Sequence, residues 1–355
     1  MRTQSHRWSL KASFCLLALG CDDVSWPSDR AVTSLRILGV EAEPPSLKPG
    51  GTSRLSLLCA DGIGGGASDP ACDIEVAWFA ACNNPPSNDP LKCLNSFDEA
   101  ASQLASPLAN TPASGSFAVA PTFEFTSPTN ILQGAVDVSG QPVHYGVSYV
   151  YFAACVGNLY PVNGVSERLP VECRDRNTQA LLDQRRFVVG YTTIYSYDAI
   201  NNKNPILFNT RFDGKVIPTN SCAADEDCGA GFGCTSAGTC APVPSHCDRN
   251  NPQTCYGHCI DFQVPPASFA LTMSDGTPVS SPLKSLWAEY YANAGHLPDD
   301  ARLGLAPPTD MSTPITSGCA PWQAPLLSTD EARVWVIVRD DRGGLSWIEQ
   351  RILVL

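Results

Sequence analysis

Sixteen cysteines constrain the fold of this chain more than any other feature of its sequence, and seven of them lie between residues 222 and 259. The first four of the seven are separated by five residues each, and the residues between them are mostly small or charged. Such a segment cannot build an apolar core and needs crosslinks to hold a shape. The sequence therefore predicts a disulfide-rich insertion over residues 221–261, in a protein that folds outside the cytoplasm.

The spacing of these cysteines also bears on metal binding. Zinc sites usually place two cysteines two to four residues apart, and a regular spacing of five lacks that pattern. Asp225, Glu226 and Asp227 could in principle bind calcium, but they miss the ligand spacing of an EF-hand and its distal glutamate. We interpret them as a solvated acidic turn, and we predict neither a metal site nor a cofactor.

Fourteen of the cysteines are predicted to form disulfides, and an even number of them lies on each side of Asn204. Six precede it and eight follow it, so that each half can pair internally, and the pairing in each half stays open from the sequence alone. We favour the neighbours 59–72, 82–93 and 155–173, because each pair brackets a loop between apparent strands. Cys319 would then tie the insertion to the second sandwich. The fourteen are Cys59, Cys72, Cys82, Cys93, Cys155, Cys173, Cys222, Cys228, Cys234, Cys240, Cys247, Cys255, Cys259 and Cys319.

The chain begins like an exported protein. Three basic residues are followed by a short apolar run, Ala12 to Leu19, and then by Gly20 and Cys21. The run is too short to span a bilayer. It resembles the lipobox of bacterial lipoproteins, although Ala18 stands where that pattern usually has leucine. The resemblance implies that residues 1–20 are a signal peptide and that Cys21 carries diacylglyceryl and acyl chains such as palmitate.

Two alternatives for the amino terminus stay open. In the first, the segment is an ordinary secretory signal, and Cys21 remains available to form a disulfide. In the second, Cys21 is lipidated and Cys15 is removed with the signal peptide, so that the fourteen remaining cysteines, an even number, can all pair. The lipid would hold the protein on a membrane through a tether over residues 21–33. We expect the outer membrane or the cell surface, although Asp22 matches the signal that retains lipoproteins in the inner membrane of enteric bacteria.

Composition favours an all-β protein that does not bind nucleic acid. The chain has 30 prolines, 27 glycines and only 16% charged residues, a composition typical of strands and turns. Its formal net charge is −12, and removal of residues 1–20, which carry three basic and no acidic residues, makes it more negative. Nucleic-acid binding needs a basic surface, and the sequence shows no cluster of Lys and Arg interleaved with aromatics.

The pattern of strands predicts two immunoglobulin-like β-sandwich domains, residues 34–203 and 204–355, with the insertion in the second. The segment 35–59 has the order strand, Pro-Pro turn and strand that opens many extracellular sandwiches. Trp78 lies near the middle of the next strand, where it is most simply a core residue between two sheets. Paired glycines after Asp340 and Asp341 indicate a hairpin near the end of the chain.

A short repeat links two of the predicted strands. Phe79-Ala80-Ala81-Cys82 recurs as residues 152–155. We expect two neighbouring strands of one sheet that end on the same side, each leading into a disulfide-closed loop.

No catalytic motif is present. The four histidines outside the signal peptide, at positions 144, 246, 258 and 296, match no zinc-hydrolase pattern, and Ser148 lacks the second glycine of a nucleophile elbow. Gly62 to Gly66 lacks the Lys-Ser of a phosphate loop. Trp287, Tyr290 and Tyr291 could stack on a glycan or a protein partner, although aromatics at this spacing more often pack in a core. We predict that the chain is not an enzyme.

Several segments together resemble envelope lipoproteins found in myxobacteria. They are residues 19–21, the stretch 37–45, the insertion 222–240 and the terminal stretch 334–344. The resemblance implies immunoglobulin-like domains on a lipid anchor and implies no activity. We therefore predict a binding module of the cell envelope that contacts the membrane through its lipid and binds an envelope protein or a glycan. The alternative is a structural or assembly component of an envelope complex.

Overall fold

The chain folds into β-strands arranged in sandwich-like layers, and the prediction of an all-β protein is confirmed. A computed structural model describes residues 30–62, 72–94, 97, 104–110, 113–114, 116–133, 144–163, 168–244, 257–273, 276–279, 283–298, 302–326 and 329–354. Within these residues short 3₁₀ turns lie at Pro86–Asn88, Pro90–Cys93, Leu108–Asn110, Asp225–Asp227 and Pro266–Phe269, and Leu94 and Phe97 are α-helical. Among the same residues, no helix is long and apolar enough to cross a membrane. The signal peptide, Cys21, His246, Cys247 and Cys255 lie outside the described residues.

The first sandwich packs a three-stranded sheet, β1-β3-β6, against a five-stranded sheet, β2-β10-β7-β4-β5. Its strands, with the separate hairpin β8-β9, are β1 (Leu35–Glu43), β2 (Ser46–Leu47), β3 (Thr52–Asp61), β4 (Glu75–Asn83), β5 (Phe117–Val119), β6 (Thr122–Thr126), β7 (Tyr145–Cys155), β8 (Asn158–Pro161), β9 (Val171–Arg174) and β10 (Phe187–Tyr197). Trp78 on β4 is fully buried between the two sheets, where it stacks on Phe123 of β6. This is the core position that the sequence predicted for it.

The repeated Phe-Ala-Ala-Cys segments lie on neighbouring strands, as expected, but the two strands end on opposite sides of the sheet. β4 and β7 pair in antiparallel register, with Glu75 opposite Cys155 and Cys82 opposite Tyr149. The expectation of a common end was therefore wrong, because similar sequences on adjacent antiparallel strands lead to opposite edges.

The second sandwich has the sheet β20-β19-β23-β24 on one side and β12, β13, β16, β21 and β22 on the other. Its strands, with a small third sheet β11-β17-β18, are β11 (Ile200–Asn201), β12 (Phe208–Phe212), β13 (Lys215–Val216), β14 (Phe232–Cys234), β15 (Cys240–Pro242), β16 (His258–Val264), β17 (Leu271–Met273), β18 (Pro278–Val279), β19 (Leu286–Ala292), β20 (Arg302–Leu305), β21 (Ile315–Thr316), β22 (Ala320–Trp322), β23 (Thr329–Asp340) and β24 (Leu345–Val354). The core between these sheets contains the fully buried Phe262, Tyr290 and Trp322.

The two sandwiches repeat one strand order. In each, the first, second and fifth sandwich strands along the chain form one sheet, and the third, fourth, sixth and seventh form the other. These strands are β1, β3, β4, β5, β6, β7 and β10 in the first half, and β12, β16, β19, β20, β21 with β22, β23 and β24 in the second. β4 and β19 are therefore equivalent strands, and so are β10 and β24.

The insertion is a small disulfide-linked unit around the hairpin β14-β15. Two interlaced bonds, Cys222–Cys234 and Cys228–Cys240, hold it together. The predicted limit at residue 261 is too late, because β16 begins at His258 and pairs within the sandwich. Alternation of apolar residues along β16 buries Ile260, Phe262 and Val264 in the sandwich core and removes this segment from the insertion.

The predicted tether is also too long at its carboxyl end. Ala31 bridges to Ala292 on β19, and the amide of Val32 donates to the Ala292 carbonyl at 2.8 Å. Val32 is buried, and the Arg30 guanidinium lies over the Tyr291 ring at 5.1 Å from its centroid. Residues 30–33 therefore belong to the folded body, because the Val32 side chain packs in the interior and its backbone bonds to β19.

Candidate binding groove between the sandwiches

The two sandwiches meet through an apolar contact. Leu38 and Leu58, from the first three-stranded sheet, pack against Trp335, Ile337 and Leu345 on the outer face of the β19-β23-β24 sheet. A Cβ atom on Gly39 would lie only 2.6 Å from Leu345 Cδ1, so glycine at this position permits the close approach. The contact fixes the first sandwich on the second and defines the walls of the cavities along their junction.

A buried polar cluster fixes the same junction at the segment that links the sandwiches. Lys284 is fully buried, and its Nζ donates to Asp340 Oδ2 and Asn202 Oδ1, both at 2.8 Å, and to the Lys203 carbonyl at 2.9 Å. The Asn202 amide donates back to both oxygens of Asp340, at 3.0 and 3.1 Å. A buried charge needs such partners, and here they come from the linker and from the β23-β24 turn.

The candidate site is a groove of about 290 Å³ beside this junction. Aromatic side chains from both sandwiches line it, Tyr191 and Tyr195 of β10 from the first and Trp287 of β19 from the second. Tyr191 is 49% exposed, and Trp287 is half-buried. Its remaining lining residues are Val40, Thr192, Thr193, Arg339, Asp340, Asp341, Gly343, Gly344 and Leu345. The lining therefore combines aromatic rings with hydroxyl and charged groups.

The tyrosines of the first wall belong to a larger aromatic ladder on the outer face of β7 and β10. Tyr191 lies with its ring centroid 5.6 Å from that of Tyr149 and 5.8 Å from that of Tyr151, both on β7. Tyr149 donates to the Asn88 carbonyl at 2.8 Å, and Tyr151 donates to the Pro90 carbonyl. These bonds tie the ladder to the loop that the Cys82–Cys93 disulfide closes, so Tyr191 rests on a fixed support.

The polar groups of the groove are also held in place. Asp341 accepts from the amide of Ser285 at 3.3 Å, and burial raises the pKa of its carboxyl group. Arg339 donates to Glu289 at 3.1 Å and to the carbonyl of Leu38. Burial, with a smaller contribution from neighbouring tyrosines, raises the pKa of Tyr195 to about 12. The Tyr195 hydroxyl is therefore uncharged at neutral pH.

Only one of the three aromatics that the sequence singled out lines the groove. Trp287 does, Tyr290 is fully buried in the second core, and Tyr291 is partly buried against the apolar contact between the sandwiches. Tyr191 and Tyr195 were missed. The sequence feature that could have indicated them is the alternation along β10, where Tyr191, Tyr195 and Tyr197 share one face with Thr193. Nothing in the sequence indicates that this face meets the other sandwich.

The other candidate residues are placed apart from the groove. Ser148 is buried and donates to Asn83 Oδ1 at 2.7 Å, and His144 lies at the surface with its Nε2 3.0 Å from the Leu132 carbonyl oxygen. His258 pairs with Asp213 at 2.8 Å and stacks on the Phe212 ring. Asp227 caps its own turn by accepting from the amides of Ala223 and Ala224.

The described cysteines are paired, and none lies in the groove. The first half contains the three bonds that the sequence favoured, Cys59–Cys72, Cys82–Cys93 and Cys155–Cys173. Cys259 pairs with Cys319 and so links β16 to the residue before β22, inside the sandwich rather than to the insertion. The sulfur atoms of three cysteines in the insertion, Cys222, Cys228 and Cys240, lie within 4.8 Å of one another, because the bonds Cys222–Cys234 and Cys228–Cys240 lie side by side.

Two larger cavities differ from the groove in their lining. One of about 920 Å³ lies at the linker and is lined by residues such as Pro44, Pro45 and Asn201. Another, of about 710 Å³, lies between the insertion and β12 and β24, with Phe208 and Ile217 among its lining residues. Neither is lined by aromatic side chains from both sandwiches, which is the feature that distinguishes the groove.

Comparisons with known proteins give little for this chain. No protein-family model matches it, and no curated protein matches it. Among solved structures, Escherichia coli alpha-2-macroglobulin activated by porcine elastase is 8% identical, with a TM-score of 0.20 over 93% of this chain and 22% of that one. Salmonella alpha-2-macroglobulin reacted with methylamine is also 8% identical, with a TM-score of 0.21 over 90% of this chain and 17% of that one. The chain spans about a fifth of the length of these macroglobulins, and a likeness this weak carries no argument about function.

Proposed function

We propose that the chain is a lipid-anchored binding protein of a bacterial cell envelope, without catalytic activity, whose ligand occupies the groove between the two sandwiches. The observation that carries the proposal is the half-exposed Tyr191 ring in one cavity with Trp287 of the other sandwich. Tyrosine and tryptophan offer large contact area at a low cost in conformational entropy, and they are enriched at binding hot spots. The fixed junction keeps both walls in position before a ligand arrives.

The immunoglobulin-like character of both domains is part of this proposal. The repeated strand order, with a buried aromatic residue on the third sandwich strand, supports it: Trp78 holds that position in the first domain and Tyr290 in the second. Such sandwiches present binding residues on a rigid frame. The proposed lipidation of Cys21 and the resemblance to myxobacterial envelope lipoproteins rest on the sequence, and they support a location of the groove outside the cytoplasm.

Replacing Cys21 with alanine is expected to move the full-length protein from the detergent phase to the aqueous phase in a phase-partition assay. Each buried methylene of an acyl chain contributes roughly 0.8 kcal/mol to membrane binding, so two or three chains make the anchor effectively permanent. The matched control is Cys15→Ala, which lies in the signal peptide and should leave partitioning unchanged. A Cys21→Ala protein that stays in the detergent phase would contradict lipidation at this residue.

Alanine at Trp287 or Tyr191 is expected to weaken capture of the native ligand at least tenfold, since truncation of a central aromatic typically costs about 2 kcal/mol or more. The measurement is affinity capture on immobilised full-length protein, with soluble saccharides and proteins released from the native envelope quantified separately. Trp347→Ala is the matched control, because Trp347 is 38% exposed and does not line the groove.

The capture also separates the proposal from the alternative function. A ligand lost with Trp287→Ala and kept with Trp347→Ala supports a groove ligand. A partner bound at a fixed ratio by both variants would instead indicate an assembly component of an envelope complex, which binds through another surface.

A further inference from the structure

The chain enters its folded body at one end of the molecule, which both sandwiches share. The amide of Val32 donates to the Ala292 carbonyl at 2.8 Å, at the carboxyl end of β19 in the second sandwich. The amide of Leu35 donates to the Arg185 carbonyl at 3.0 Å, shortly before β10 begins in the first sandwich. We call this surface the entry end, and it is formed by residues 30–35, 175–186, 293–298 and 321–326.

The linker lies at the other end of the molecule. β1 runs from the entry end to this other end, where Asn204 donates to the Ala42 carbonyl at 2.9 Å. Asn204 also accepts from the amide of Leu345, at the start of β24. Tyr191 on β10 and Trp287 on β19, which line the groove, are separated from the entry-end contacts by roughly 17–20 Å of extended chain. The groove therefore lies away from the entry end.

The entry end exposes one leucine from each sandwich. Leu181 is 69% exposed, and Leu326 is 47% exposed. Leu181 bridges to Arg174 at the end of β9, so its loop is held in place. Leu326 follows Gln323, which exchanges two amide-to-carbonyl hydrogen bonds of 2.9 Å with His296, just after β19. Folding therefore leaves two apolar side chains in solvent at the end where the chain enters.

Exposed arginines accompany Leu181 on its loop. Residues 175–186 include three of them, Arg176, Arg185 and Arg186. Arg176 pairs with Asp73 at 2.6 Å, whereas Arg185 and Arg186 form no salt bridge with any other residue that the structure describes. Two guanidinium groups are therefore available to an anion beside the exposed leucine.

The acidic residues of the same loop are occupied by its backbone. Asp175 accepts from the Thr178 amide at 2.8 Å, and Asp183 accepts from the Arg185 amide at 3.0 Å. On the second sandwich, residues 293–298 and 321–326 contain no Asp, Glu, Lys or Arg. The charge balance here differs from that of the whole chain, which is −12. Repulsion from an anionic surface is consequently weakest at these loops.

The length of chain before the described residues limits what meets the entry end. Eight residues, 22–29, lie between Cys21, the proposed site of the lipid, and Arg30. An extended chain covers at most about 3.6 Å per residue, so Arg30 stays within roughly 30 Å of an anchored Cys21. A short tether raises the effective concentration of the lipid surface around this end, so even a weak contact there is populated.

We propose that the entry end docks on the headgroup region of a phospholipid bilayer, with Leu181 and Leu326 at the boundary of the acyl chains and with Arg185 and Arg186 on anionic headgroups. This inference rests on the lipid anchor of the proposed function and adds the orientation of the body. Interfacial binding combines buried apolar side chains with attraction between arginine and anionic lipids. In this orientation the groove stands above the bilayer and faces ligands outside it.

Photocrosslinking of the full-length, lipidated protein tests the orientation in vesicles of phosphatidylethanolamine and phosphatidylglycerol. The photoreactive residue benzoylphenylalanine replaces Leu181, Leu326 or, as the matched control, Ile206, which is 58% exposed and lies beside the linker. We expect phospholipid adducts, quantified by mass spectrometry, to be about fivefold or more as frequent at positions 181 and 326 as at position 206. Equal adducts at the three positions, or none at 181 and 326, overturn the inference.

Charge reversal tests the arginines separately. Arg185→Glu with Arg186→Glu should lower the lipid adducts at position 181 about threefold or more in the same vesicles. Lys48→Glu with Lys203→Glu is the matched control, because it changes the net charge equally at two exposed residues near the linker. Equal losses in the two double variants would show that net charge acts and not this loop, against the inference. Tryptophan fluorescence checks that both variants fold.

The inference and the proposed function can fail separately. If the wild-type protein partitions into detergent while positions 181 and 326 give no lipid adduct, the anchor stands and the docking is wrong. If crosslinking in the native envelope joins both positions to one protein, the entry end is a protein interface and the inference is also wrong. If the Cys21→Ala protein keeps its place in the detergent phase, the proposed anchor falls, and this inference falls with it.

Discussion

Replacing Lys284 with methionine is expected to lower the free energy of unfolding by about 3–5 kcal/mol. Lys284 and Asp340 have no exposed side-chain surface, and their charged atoms lie 2.8 Å apart. Methionine fills a similar volume but leaves the Asp340 carboxylate buried without its cation. Removing one partner of a buried ion pair is costly for that reason, even where replacing both partners would cost little.

Urea unfolding followed by tryptophan fluorescence measures this effect, and Lys203→Met is the matched control. Lys203 is exposed, and it contributes to the cluster only through its backbone carbonyl, so its substitution should change the free energy by less than about 0.5 kcal/mol. A loss below 1 kcal/mol for Lys284→Met would show that the ion pair does not hold the junction.

A double-mutant cycle with Asp340→Asn tests the coupling directly. We expect the double variant to lose less stability than the sum of the losses of the two single variants, because Asp340→Asn removes the carboxylate charge that Lys284→Met leaves without a partner. The junction also bears on binding. If it loosens, Trp287 and Tyr191 no longer hold a fixed separation, and capture of the ligand should weaken together with stability.

The sequence could predict the fold of each sandwich because the signals for strands are local. Residues that are β-branched or aromatic, in an alternating pattern, predicted the strands Tyr145–Cys155 and Phe187–Tyr197. Cysteines close together in the chain indicated the three disulfides of the first half. Such features depend on residues close together in the chain. These local features do not show whether a neighbouring strand runs parallel or antiparallel. For that reason the sequence wrongly predicted that the two Phe-Ala-Ala-Cys segments end on the same side of the sheet.

The candidate groove could not be predicted, because its walls come from residues almost 100 positions apart. Tyr191 and Trp287 meet only through the docking of the two sandwiches. Lys284, in a segment that looks like a polar loop, gave no sign of being buried, since its partners Asn202 and Asp340 come from the linker and from a distant turn. Side chains at a domain junction are set by tertiary contacts that a local pattern does not encode.

Alanine at Trp78 is expected to lower the free energy of unfolding of the first sandwich by about 3–5 kcal/mol, the usual cost of deleting a buried aromatic. Trp78 is fully buried, its ring centroid lies 6.0 Å from those of Phe123 and Phe152, and its Nε1 donates to the Ala120 carbonyl at 2.9 Å. Trp78→Phe keeps most of the apolar contact and should cost about 1–2 kcal/mol. Thermal and urea unfolding measure both, with the partly exposed Trp347→Ala as control, and equal losses for Trp78→Ala and Trp347→Ala would refute a core role for Trp78.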